Sequence, residues 1–286
     1  MDSSEPYIIM RLFSKKKKKT VTVEETVTTI TSTNPSEVKN EEGFGQVAPK
    51  NIGKLDMVIA FDTTGSMAQY IGAVRKEVSE LIPQLFKDNE DLRLGIVAFG
   101  DYCDMNNAQD FGDAFQCIAP TANENALIKF VINSKDTSGG DGPEFYELVI
   151  KKIVEETHWR EGSTRTILLI ADAVPHEVGY SYGNIINGSQ IDWRIEAKKA
   201  ADNKIKIDTV TISDAPWFRE LSAMTNGVSV PFYTGYKTAE LVRASVMSRG
   251  SMKARCNFDV LMGSCDDDEM KEVYASYKKE RDNIDF

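Results

Sequence analysis

The sequence predicts an α/β protein: a doubly wound, mostly parallel central sheet with helices on both faces and one antiparallel edge strand. Three observations carry this. Short apolar runs recur along the chain, and each is followed by a segment whose apolar residues fall at steps of three and four. One run, Thr166–Ala171, is apolar throughout after its first residue, as expected of a strand covered on both faces. Two runs end in a carboxylate, Asp62 and Asp172, where a parallel strand would hand over to a loop.

Residues 1–49 read as a flexible Lys/Thr-rich tail. The block Lys15–Lys19 repels itself and favours an extended chain, and the Thr/Val/Glu alternation after it has few large side chains to bury. The folded part is expected to begin near residue 50 with the strand Leu55–Phe61. A helix of about five turns follows, with its apolar stripe on Met67, Tyr70, Ile71, Val74, Val78, Leu81, Ile82, Leu85 and Phe86. Pro83 predicts a kink or an early end in that helix. Leu92–Phe99 is the second strand, Ala114–Ile118 an edge strand and Asn125–Asn133 a short helix. The loop Thr137–Glu144 leads into a helix over 144–156. After the strand at 166–171 the alternation continues: helix Trp193–Asp202, strand Ile205–Ile212, helix Trp217–Met224, strand Val228–Tyr233 and helix Thr238–Met247. Residues 251–286 form a C-terminal extension, acidic at Asp266–Glu269 and then helical.

Composition narrows the function. With 41% hydrophobic and 27% charged residues the chain resembles an ordinary globular protein. Its apolar runs are far shorter than the ~20 residues that cross a bilayer, so no transmembrane segment is expected. Beyond residue 50 there are 26 basic and 37 acidic side chains, a balance of −11 that disfavours nucleic acid as a partner. The four cysteines lack CxxC spacing and no secretory signal is evident, which predicts reduced thiols and a cytoplasmic location.

The chemistry concentrates in Asp62-Thr63-Thr64-Gly65-Ser66. Asp62, Thr64 and Ser66 alternate along a strand-end loop, so their oxygens can converge on one point. In open α/β sheets such loops are where ligands bind. An oxygen-only set suits a hard cation, Mg²⁺ or else Mn²⁺ or Ca²⁺.

Together with Gly139-Gly140-Asp141 and with Asp172 after Leu168-Leu169-Ile170-Ala171, this loop resembles the von Willebrand factor A-type, or integrin I-like, domain over about residues 50–250. Gly-Gly-Asp-Gly-Pro-Glu and Asp-Ala-Val-Pro-His look like the intracellular branch that includes alpha-kinase-linked A domains. The resemblance implies a Rossmann-like fold and a metal-ion-dependent adhesion site at the carboxyl edge of the sheet, with Asp62, Thr64, Ser66, Asp141 and Asp172 as its ligands. It also implies a protein partner whose acidic side chain completes the metal's coordination, and no enzymatic activity. One departure stands out: Asp141 occupies a slot where the family usually has threonine. That residue has a rival role as N-cap of the helix over 144–156, ahead of Pro143 and Glu144.

Other residues have plainer readings. Asp101 is a loop or supporting residue, and His158 and His176 are structural, since no cysteine partners give a zinc pattern. Trp193 and Trp217 are core anchors, while Tyr180 and Tyr182 can face a partner. The competing function is a phosphotransferase with Asp62 as aspartyl nucleophile, because Asp62–Ser66 resembles the Asp-Lys-Thr-Gly-Thr of such enzymes. No lysine follows a strand in the order that chemistry requires.

Overall fold

The structure is a computed structural model that describes residues 53–232 and 236–282, with side chains left undescribed at 236–238. The tail at 1–49 lies outside the described residues.

Six strands form the central sheet in the order β3-β2-β1-β5-β7-β8. They are β1 (Leu55–Asp62), β2 (Leu92–Phe99), β3 (Phe115–Thr121), β5 (Thr164–Ala171), β7 (Ile205–Thr211) and β8 (Ser229–Pro231). All pairings are parallel except β2 with β3, the antiparallel edge the sequence called for. Alternation along the strands explains the two covered faces. Leu55, Met57, Ile59 and Phe61 of β1 join one apolar core, and Val58 and Ala60 join the other. In β5, Leu168 and Ile170 point one way while Ile167, Leu169 and Ala171 point the other.

Helices α1 (Ile71–Asp88), α2 (Glu124–Asn133) and α6 (Tyr236–Arg249) cover the first face; α3 (Tyr146–Glu156), α4 (Trp193–Asp202) and α5 (Pro216–Met224) cover the second. Trp193 and Trp217 are buried in that second core, as the sequence suggested. Helix α1 does not end at Pro83 but continues to Asp88. Burial of Leu81, Ile82 and Leu85 beneath it outweighs the lost hydrogen bond, a penalty of about 3 kcal/mol. Strand β8 is shorter than the expected Val228–Tyr233, in keeping with Pro231, which has no N–H to give and sits on the edge.

The C-terminal segment holds one helix more than expected. The acidic run leads into the expected helix, α8 (Asp268–Asp282), and a further helix, α7 (Met252–Gly263), lies before it. Phe258 of α7 and Met270, Val273, Tyr274 and Tyr277 of α8 are buried in the first core. Beneath α8, Asp208 of β7 accepts from Arg249 Nη2 at 2.8 Å and from Ser245 Oγ at 2.7 Å, and Arg249 Nε donates to Glu280 at 3.0 Å. Arg249 outweighs the cost of burial and holds the Asp208 carboxyl below its ordinary range.

One small element positions the site. Strands β4 (Pro143–Glu144) and β6 (Val174–Pro175) pair in parallel as a separate two-residue ladder. It ties the loop before α3 to the loop after β5.

Candidate metal centre

The order of the sheet reverses at β1: β2 lies on one side and β5 on the other. A crevice at such a reversal, beyond the carboxyl ends of the strands, is where open α/β sheets bind ligands. Asp62 closes β1 and Asp172 follows the end of β5, and the register Phe61 beside Ile170 sets the two carboxylates within one residue of the same level.

Asp62 is fully buried, with both oxygens engaged. Oδ1 accepts from the Thr64 amide at 2.8 Å and the Thr64 hydroxyl at 2.7 Å; Oδ2 accepts from the Tyr146 hydroxyl at 2.5 Å. Thr64 Oγ1 lies 3.2 Å from Ser66 Oγ, so the alternation read in the sequence does bring the three oxygens together. Burial pushes the Asp62 carboxyl up to about 7, against the pull of Tyr146 and Thr64, and the charge of Asp172 adds to the rise. Asp172 is itself raised by burial, with the Ser66 hydroxyl acting the other way. Its Oδ1 is buried without a hydrogen-bond partner.

Glu144 is the residue that sequence reasoning placed wrongly. It was expected inside a helix but lies in β4, buried, with Oε2 unpartnered. Burial first, and then the charges of Asp62 and Asp101, push its carboxyl up to about 10, opposed by the Thr64 hydroxyl. Tyr146 was missed too: besides holding Asp62, its oxygen accepts from the Ala173 amide at 3.2 Å, joining the first and third loops. Nothing in local pattern distinguishes either residue from an ordinary helix-face side chain.

The second loop is held by Asp104, which accepts from the Ser138 amide (2.8 Å), the Ser138 hydroxyl (2.6 Å) and the Gly139 amide (3.1 Å). Gly139 has φ +64°, and a Cβ there would come within 2.7 Å of Glu144 Oε1 and 3.1 Å of Thr64 Cβ, so only glycine lets this loop close onto the first. Ser66, Gly139, Asp141, Glu144, Asp172 and Val174 line one open cleft.

Asp141 does not cap the following helix. Helix α3 begins at Tyr146 with Phe145 as its N-cap, and no side chain caps it. Instead, the exposed Asp141 accepts from the Tyr180 hydroxyl at 3.1 Å. Among the described residues, Asp141 groups with Asp101 and His176, whose ligand atoms lie within 4.8 Å of one another. His176 is buried with Nε2 2.8 Å from Asp101 Oδ1, so Asp101 is a buried loop residue with a definite partner.

The strongest influences on Asp62, Glu144 and Asp172 are hydroxyls, amides, burial and other carboxylates; no lysine or arginine is among them. Unpartnered buried oxygens and uncompensated carboxylates fit a hard divalent cation.

This is an α/β domain with carboxylate and hydroxyl oxygens gathered on the loops at the switch point of its sheet. Its sequence assigns it further: the chain belongs to the von Willebrand factor type A domain family, whose model matches residues 56–241. Domains of this family are generally non-enzymatic interaction modules. The chain is similar to the alpha-protein kinase vwkA of Dictyostelium discoideum, 26% identical over 199 residues, which are 66% of this chain but 28% of that protein. It thus spans less than a third of that relative's length. Among solved structures it is similar to the conserved hypothetical protein BatB from Bacteroides thetaiotaomicron, at 14% identity and a TM-score of 0.45, covering 66% of this chain and 95% of that one. No described helix is long and apolar enough to cross a membrane.

Proposed function

We propose that this domain is a divalent-cation-dependent protein-binding module. The observation that carries the reading is the convergence of Asp62, Thr64 and Ser66 beside Asp172 at the switch point, with a buried oxygen of Asp172 left without a partner. Asp62, Thr64, Ser66 and Asp172 would hold Mg²⁺ or Mn²⁺, and the bound ion supplies positive charge that a partner's carboxylate completes. Two carboxylates and two hydroxyls balance a doubly charged ion without excess negative charge, which leaves it attractive to an acidic side chain. Tyr146 fixes the inner oxygen of Asp62. Glu144, protonated at neutral pH in the ion-free protein, adds bulk and a hydrogen-bonding group rather than a third charge. A cytoplasmic setting belongs to the same proposal, supported by four unpaired thiols.

Calorimetric titration of Mg²⁺ into the full chain and into Asp62→Ala tests the site, and binding to immobilised Asp- or Glu-bearing peptides with and without chelator tests the use. Equal Mg²⁺ affinity in the variant, or chelator-insensitive capture of the peptides, overturns the reading.

A further inference from the structure

Next to the oxygen site lies a cluster of different composition. Asp101, in the loop just beyond β2, and His176, just beyond β6, are both buried, and they meet at 2.8 Å. Asp141 reaches them from the second loop, completing a set whose ligand atoms lie within 4.8 Å of one another. Two polar atoms within this set have no partner: Asp101 Oδ2 and His176 Nδ1. A buried carboxylate oxygen and a buried ring nitrogen left unsatisfied are costly unless something binds them. The walls are built around the cluster. The Tyr180 ring stacks on the imidazole with centroids 3.5 Å apart while its hydroxyl donates to Asp141. Tyr102 packs against both rings and donates to the buried Glu147 at 2.8 Å.

We propose that Asp101, Asp141 and His176 form a second metal site, distinct from the oxygen site at Asp62, that takes a first-row transition ion of the Zn²⁺ class. The donor types decide the class. An imidazole nitrogen beside two carboxylates suits Zn²⁺ and its neighbours, whereas Mg²⁺ and Ca²⁺ favour oxygen alone. A doubly charged ion also balances the two carboxylates, which no lysine or arginine ion pair among the described residues neutralises. Ligand atoms around a tetrahedral ion held at ~2.1 Å sit about 3.4 Å apart. Asp101 Oδ1 and His176 Nε2 lie 2.8 Å apart in a hydrogen bond that the ion would replace, so this pair opens slightly and the larger movement falls on Asp141, which is exposed and on a loop. Three protein ligands leave one position open, the arrangement of zinc sites that accept a water or an outside ligand.

The test is Zn²⁺ binding measured by competition with a chromophoric chelator, in millimolar-range Mg²⁺ so that the oxygen site is occupied. The full-length protein should bind one equivalent of Zn²⁺. Asp141→Asn, on an exposed loop and nearly isosteric, should weaken Zn²⁺ binding by about tenfold or more while leaving Mg²⁺ affinity unchanged. His176→Gln should also lose Zn²⁺; because it is buried, its folding is checked by circular dichroism and Asp141→Asn remains the deciding variant. Asp62→Ala should keep Zn²⁺ while losing Mg²⁺, which separates failure of this inference from failure of the oxygen-site reading. No Zn²⁺ uptake under excess Mg²⁺, or equal Zn²⁺ affinity in Asp141→Asn, overturns the proposal and leaves Asp101 and His176 a structural pair. Loss of Zn²⁺ in a folded Asp62→Ala overturns the claim that the sites are distinct.

Discussion

Tyr146→Phe isolates the second-layer contact on which the oxygen site depends. The substitution removes one oxygen from a buried position, taking away the 2.5 Å hydrogen bond to Asp62 Oδ2 and the acceptor for the Ala173 amide. Hydrogen bonds to a charged group contribute about 1.5–3 kcal/mol. At about 1.4 kcal/mol per factor of ten, that corresponds to a roughly 10–100-fold weaker Mg²⁺ affinity, the range seen when outer-layer partners of metal ligands are removed. The sign follows from the carboxyl. Burial already lifts Asp62 to about 7, and Tyr146 opposes that lift, so its loss drives the carboxyl higher and lets the proton compete better with the metal. Calorimetry at a series of pH values should show the defect greatest near and below neutrality and shrinking in alkaline buffer. A Tyr146→Phe protein with native Mg²⁺ affinity and native pH dependence refutes the assignment of Asp62 as the central ligand.

Three further outcomes are expected. In the metal-free protein Asp62 and Glu144 are raised from 3.8 and 4.5 to about 7 and about 10, so their contribution to stability is full at low pH and is lost as pH rises through those windows. Mg²⁺ replaces the proton, and the Mg²⁺-induced rise in Tm should therefore be larger at pH 8 than at pH 6; an equal rise at both contradicts this. Arg249→Ala leaves Asp208 charged and buried, and should cost about 3–5 kcal/mol in urea unfolding; a loss within experimental error shows the pair to be dispensable. A chain truncated after residue 250 loses the buried Phe258, Met270, Tyr274 and Tyr277, each contributing about 1.5–3 kcal/mol, and should not fold; a fragment with native Tm disproves the dependence.

The sheet, the strand-end position of Asp62 and the convergence of its loop were readable because they rest on short-range pattern: an apolar run with period-two cores, then oxygens at alternate positions. Asp172 was readable for the same reason. Glu144 and His176 were not, because a two-residue ladder has no period to detect and the residues it joins are some thirty positions apart. His176 looked structural for want of cysteines nearby in sequence, yet its partners Asp101 and Asp141 come from two other loops. Asp141 read well as a cap because the cap pattern is local, and the turn that delays α3 to Tyr146 is set by pairing with β6 instead. Helix α7 was obscured by its polar outer face, since only Ala254 and Phe258 of it are buried.

The β4–β6 ladder also gives the two clusters a shared support. Glu144 and Asp141 lie on or beside one strand, Asp172 and His176 flank the other, and the His176 amide donates back to the Glu144 carbonyl at 3.3 Å. Occupancy on one side that favours a particular setting of the ladder changes affinity on the other by a fixed factor, and thermodynamic reciprocity requires the same factor in the opposite direction.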